Sequence, residues 1–165
     1  MSNDKLKKKI TNHFGVPKVL KDYYNEDIFT FEFEDKNIPD SPFKNYECRE
    51  NSIKFALVNK TKNKTLITMD FFRLIHTRAF RNPGTYRLEL IFVHDTDLRR
   101  KGIAKYYIRK LKEYMQKNEG TTLAITVNSE APSLKNIGPI GPNKKELVKF
   151  YKSFEDENFK VEVLC

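Results

Sequence analysis

Between Tyr86 and Val127 the hydrophobic period runs from two to about 3.6 and back, and this constrains the fold more than any other feature of the chain. Tyr86, Leu88, Leu90 and Phe92 alternate with Arg87, Glu89, Ile91 and Val93. Apolar residues on both faces at the end of this run predict a central strand. His94 to Lys101 is a polar loop. From Gly102 the pattern becomes helical, with Ile103, Tyr107, Leu111 and Met115 on one stripe and Ala104 and Ile108 beside it. Asn118-Glu119-Gly120 stops the helix, as a glycine terminator does. Thr121 to Val127 reads as a short buried strand. A strand–loop–helix–strand run of this length is a crossover, so its two strands are expected to be parallel neighbours.

The flanking sequence adds antiparallel elements. Asn3 or Asp4 is expected to cap a first helix carrying Leu6, Ile10 and Phe14, which Gly15 and Pro17 end. A second short stripe holds Val16, Leu20, Tyr23 and Tyr24. Phe29, Phe31 and Phe33 alternate with polar residues as in a half-buried strand. After a loop at Pro39 to Pro42, strands over Ile53–Val58 and Thr65–Ile75 read as a hairpin. Arg81-Asn82-Pro83-Gly84 is a turn signal. A loop over residues 129–142 carries two Gly-Pro pairs, and Asn143 with Glu146 can start a helix as a capping box. That helix bears Leu147, Tyr151 and Phe154, and a strand from Phe159 to Leu164 follows. The expectation is one α/β domain over residues 1–165, with a mixed, mostly antiparallel sheet of about six or seven strands flanked by helices.

The 39% hydrophobic and 13% aromatic content supports a folded interior rather than a disordered tail. Cys48 and Cys165 have no spaced partner, so free thiols and no metal centre are expected. No apolar run reaches the length of a membrane span. Met1-Ser2-Asn3-Asp4 lacks the pattern of a signal peptide. A soluble, cytoplasmic protein without a membrane partner is the expectation. The net charge of +9 favours polyanions without choosing among them.

The residues that suggest chemistry open the central helix: Arg99-Arg100-Lys101-Gly102-Ile103-Ala104. The first N–H groups of a helix lack intrahelical acceptors, and a pyrophosphate docks there readily. Gly102 and the small Ala104 let an anion approach the backbone, while Arg99, Arg100, Lys101, Lys105 and Arg109 surround it with positive charge. The plainer reading is a loop-to-helix junction with a solvated basic face; the order of elements weighs against it.

The stretch from Leu88 to Ile108 resembles motif A of the GNAT superfamily of acyl-CoA N-acyltransferases, Gln/Arg-x-x-Gly-x-Gly/Ala between a strand and a helix. The resemblance implies an N-acetyltransferase that uses acetyl-CoA as donor and passes the acetyl group by direct attack to a primary amine on a small molecule or protein. It implies parallel central strands splayed around the coenzyme. Ile91, Phe92 and Val93 would pair with the pantetheine through their backbone, with the Val93 amide or its neighbour on the thioester oxygen. Gly102 to Lys105 would hold the pyrophosphate, and Asn128, or in competition Asn143, would bond the pantetheine. Tyr151 matches the tyrosine that protonates the leaving thiolate. The family's Gly-Phe that follows it is replaced here by Glu155-Asp156-Glu157-Asn158 before Phe159. Glu89 is the candidate general base, because a half-buried strand carboxylate has a raised pKa; a cross-strand ion pair is the competing role, and His94 and Asp95 stand behind it. Many members are dimers, so a homodimer is compatible with the resemblance.

Three alternatives remain open from the sequence. One is a nucleic-acid-binding domain, against which the lysines read as spread along the chain. A second is a member of the family that acetylates charged transfer RNA. The third is a coenzyme-binding relative without turnover.

Overall fold

In a computed structural model, which describes residues 2–75, 84–126 and 144–164, the apolar stripes become the inward faces of regular elements. The order is α1 Asn3–Phe14, α2 Lys18–Tyr24, β1 Phe29–Glu32, β2 Glu47–Arg49, β3 Ser52–Asn59, β4 Lys64–Arg73, β5 Thr85–Val93, α3 Ile103–Lys117, β6 Thr122–Thr126, α4 Lys144–Lys152 and β7 Lys160–Leu164. Short 3-10 turns lie at Asp35–Asn37 and Thr96–Leu98. The turn residues Arg81 to Pro83, the loop 129–142, Asn128, Asn143 and Cys165 lie outside the described residues.

The strands form one seven-stranded sheet in the order β1-β3-β4-β5-β6-β7, with β2 also on β3. Pairings from β1 to β5 are antiparallel. Those of β5 with β6 and of β6 with β7 are parallel. The expected mixed, mostly antiparallel α/β sheet is what the chain adopts. β2 was not expected: it folds back on β3 through a turn at Glu50-Asn51, where Asn51 takes φ 71°.

One sheet face carries Ile53, Phe55, Leu57, Ile67, Met69 and Phe71 against Leu6, Ile10 and Phe14 of α1 and the α3 stripe. All four predicted stripe residues of α3 are buried. Lys112 of α3 also donates to the carbonyl of Phe154 just beyond α4, at 2.8 Å. On the opposite face Ala56 and Val58 pack with Ile38 and Tyr46, with Phe43 beside them.

Two helix ends differ in detail from expectation. Ser2, not Asn3 or Asp4, caps α1, its Oγ accepting the Lys5 N–H at 3.4 Å. Beyond α3, Glu119 takes the left-handed conformation at φ 61°, and the Gly120 N–H reaches the Met115 carbonyl at 2.6 Å. Gly120 is there for space: a Cβ would lie 2.8 Å from Met115 Cβ.

Candidate active site

β5 changes partners part-way along its length. Asp70 and Phe71 of β4 are successive, yet they pair with Leu90 and Leu88. Glu89 is therefore an extra residue, a β-bulge, which bends and twists a strand. The parallel pairing of β5 with β6 ends at Leu88↔Ile125, at the same level. Glu89 to Val93 have no parallel partner among the described residues.

The direction of the freed backbone follows from the ladder. The His94 N–H donates to the Leu66 carbonyl of β4 at 2.8 Å. Backbone groups alternate sides along a strand, so those of Phe92 face β4 while those of Ile91 and Val93 face the β6 side, where no strand of the described residues pairs with them. The Arg99 Nε donates to the Val93 carbonyl at 3.0 Å, on that open side. Ile91 and Val93 thus stand where a cofactor chain could pair with them. Phe92 does not: its backbone belongs to the β4 ladder, and its ring packs on Phe43 and His94 with the Arg99 guanidinium 5.4 Å away.

After β5 the chain turns through Thr96–Leu98, pinned by fully buried Leu98. Arg100 at φ 62° and Gly102 at φ 82° then bring it to α3 without a side-chain cap. A Cβ at Gly102 would meet nothing within 4 Å, so there is room at this residue among the described ones. The N–H groups of Ile103, Ala104 and Lys105 point there, as first-turn amides do, with the positive end of the helix dipole behind them. Ile103 contributes only its amide, since its side chain is buried in the core. Lys105 is exposed, and Lys101 Nζ lies 5.1 Å from the Tyr23 ring. Arg99 is turned back onto β5 rather than toward this space.

Glu89 does not have the half-buried setting expected of it. Its side chain is 41% exposed, and its carboxylate pairs with Arg87 Nε at 2.7 Å. The less exposed carboxylate beside the bulge is that of Asp70, 25% exposed, directly across from Leu90. Burial pushes the Asp70 carboxyl up to about 6; Lys54, 4.0 Å away, opposes this, while Glu89 and Glu47 add to it. Its sequence signal was a lone acid inside the apolar run Leu66–Phe72.

The two reserve candidates hold other posts. Burial, then the Arg99 charge, pulls His94 down to about 4, so its ring is neutral near pH 7. It shares a hydrogen bond of 2.7 Å with Thr68 Oγ1, which continues to Tyr46 at 2.9 Å and Ser41 at 2.6 Å. Burial raises Asp95, but the Lys64 ammonium at 3.0 Å and the Asp97 N–H at 2.9 Å outweigh it and hold the carboxyl below the usual range.

Tyr151 sits on α4 and packs against the same core cluster as Ile91 and Val93. Burial pushes its hydroxyl up to about 12, so it carries its proton at neutral pH. Among the described residues no group of His, Cys, Asp and Glu could hold a metal ion. No helix among them is long and apolar enough to cross a membrane.

No family model matches the chain, and no curated protein matches it. Among solved structures it is similar to an aminoglycoside acetyltransferase from an uncultured soil metagenomic sample, crystallised with sisomicin: 12% identity over 87% of each chain, with a TM-score of 0.41. That likeness is too distant to carry an activity across.

Proposed function

We propose that the chain is a coenzyme-A-dependent acyltransferase that moves an acyl group, acetyl in the first instance, onto a primary amine. The observation that carries this reading is the coincidence of three features at one level of the sheet. The bulge at Glu89, the end of β5–β6 pairing at Leu88 and Ile125 among the described residues, and the uncapped start of α3 at Gly102 together support a backbone edge beside an anion site. An acyl-CoA needs both, one for its amide-bearing arm and one for its pyrophosphate.

The thioester supplies an activated carbonyl; the chain's residues do the rest. The N–H of Val93 or Ile91 would stabilise negative charge on the carbonyl oxygen. The attacking amine must be neutral, and Asp70, with its carboxyl near 6, is suited to accept its proton near neutrality. Glu89, exposed at the bulge, is the outer carboxylate that would draw a cationic amine in. As the N–C bond forms and the C–S bond breaks, the Tyr151 hydroxyl gives its proton to the sulfur. Asn128 stays a proposed pantetheine contact by resemblance alone.

The test is chromatographic: acetyl-CoA is incubated with the protein and a panel of primary amines, and free CoA and acetylated amine are quantified. Amine-dependent release of equal amounts of both, lost in Asp70→Asn, supports the reading. Release without acetylated amine contradicts it.

A further inference from the structure

Seven of the chain's nine net positive charges sit on two neighbouring helices. α1 carries Lys5, Lys7, Lys8 and Lys9 against Asp4, and α3 carries Lys105, Arg109, Lys110, Lys112 and Lys117 against Glu113. Arg99, Arg100 and Lys101 lie just before α3, and without these three segments the remainder of the chain is net negative by one charge. The lysines that read as scattered are gathered by the fold, because α1 and α3 lie side by side and antiparallel. His13 meets the Lys110 carbonyl at 2.6 Å, the Tyr106 hydroxyl donates to the Phe14 carbonyl at 2.6 Å, and Lys9 Nζ lies 5.6 Å from the Tyr114 ring.

Most of these cations are uncommitted. Lys7, Lys110 and Lys112 have carboxylate partners in Glu34, Glu113 and Asp156. Lys5, Lys8, Lys9, Lys105, Arg109 and Lys117 are exposed and form no ion pair among the described residues. Lys8 looks toward β1, where it lines a hollow with Glu32 and Glu34; the others leave free positive charge along the two helices that folding does not explain.

The chemistry of the face selects its partner. A membrane-surface helix turns an apolar face outward, but both helices bury theirs, and neither carries an exposed large hydrophobic residue. Single-stranded nucleic acid is held by a track of cations and by aromatic rings on which bases stack. Such a ring is present: Tyr23, 48% exposed, stands beside Lys101 at the start of α3.

We infer that the α1–α3 face docks single-stranded nucleic acid, its phosphates on Lys5, Lys9, Arg109 and Lys117 and a base stacked on Tyr23. This goes beyond acyl transfer and does not depend on it.

The test is fluorescence anisotropy with a labelled oligo(U) of roughly twenty nucleotides, beside oligo(dT) and a duplex of equal length. Salt is varied between about 50 and 200 mM. The variant Lys5→Ala/Lys9→Ala/Arg109→Ala/Lys117→Ala is compared with Lys36→Ala/Lys44→Ala/Lys62→Ala/Lys160→Ala, which loses the same charge elsewhere. Thermal melts check that both fold. Binding of either single strand in preference to the duplex is expected. The face variant should lose about tenfold or more in affinity and about three units of the log–log salt slope, at ~0.7 per single-strand phosphate contact. The control should stay within about twofold, and Tyr23→Ala should weaken binding about fivefold with the slope unchanged. Four results would overturn the inference: no binding at low salt, equal losses in the two quadruple variants, preference for the duplex, or capture by phosphatidylserine vesicles without oligonucleotide binding.

Discussion

Arg99 and Val93 are joined by a hydrogen bond of 3.0 Å from the guanidinium Nε to the main-chain carbonyl. This bond ties the loop that opens α3 to the last residue of β5, so the start of α3 and the end of the strand are held as one unit. The Phe92 ring beneath the guanidinium adds a second contact.

Arg99→Ala should loosen that unit. Hydrogen bonds to charged groups contribute about 1.5–3 kcal/mol. Hydrogen exchange of the Leu98 to Gly102 amides is expected to rise about tenfold, while α1 and β3 keep their protection. Unchanged exchange in the loop would show that Leu98 alone pins it.

How much was legible follows from where each signal resides. The stripe of α3 and the alternation of β5 are local, so the crossover and its parallel pairing could be read from residues 86–127. Gly102 as the residue that opens α3 was legible for the same reason: the polar loop gives way to the helical stripe there. The bulge was not legible, because it is a mismatch of register between β4 and β5. It turned Glu89 toward Arg87 and left Asp70 as the less exposed of the two acids beside it. Phe92 was included with Ile91 and Val93 because the sequence does not say which backbone groups the β4 ladder has taken. The basic face was illegible too, since Lys9 comes beside Tyr114 and the cations of the two helices are gathered only when α1 packs on α3.

Asp70 links activity to pH. Its folded carboxyl lies near 6, above the usual value of 3.8. The fold thus favours the protonated form, and this contribution, present below pH 4, is lost as pH rises through about 6. Asp70→Asn removes the burden of the buried charge and is expected to be more stable than wild type by about 1–2 kcal/mol at pH 7, with the gap closing near pH 4. In the wild type, kcat/KM for an accepted amine should rise with pH around a midpoint of about 6, a rise absent in the variant. Calorimetry and pH–rate profiles check both halves; a variant less stable at pH 7 contradicts the assignment.

Tyr151→Phe keeps the ring and deletes the acid. Its melting temperature should stay close to wild type, while kcat falls by about 100-fold with the donor KM little changed. An unaltered kcat would remove Tyr151 from the chemistry.

Two glycines should separate structure from function. Gly120→Ala forces a Cβ to 2.8 Å from Met115 Cβ, and overpacking of this kind costs about 1–3 kcal/mol. Gly102→Asn meets open space and a left-handed backbone that asparagine tolerates. Thermal melts should show a clear loss for the first and almost none for the second.

Isothermal titration of acetyl-CoA into the protein, beside Gly102→Glu, tests the proposed site most directly. Micromolar binding is expected in the wild type, lost when the glutamate places bulk and negative charge at the start of α3. No binding by the wild type, or equal binding by both, would contradict the coenzyme site and the acyltransferase reading built on it.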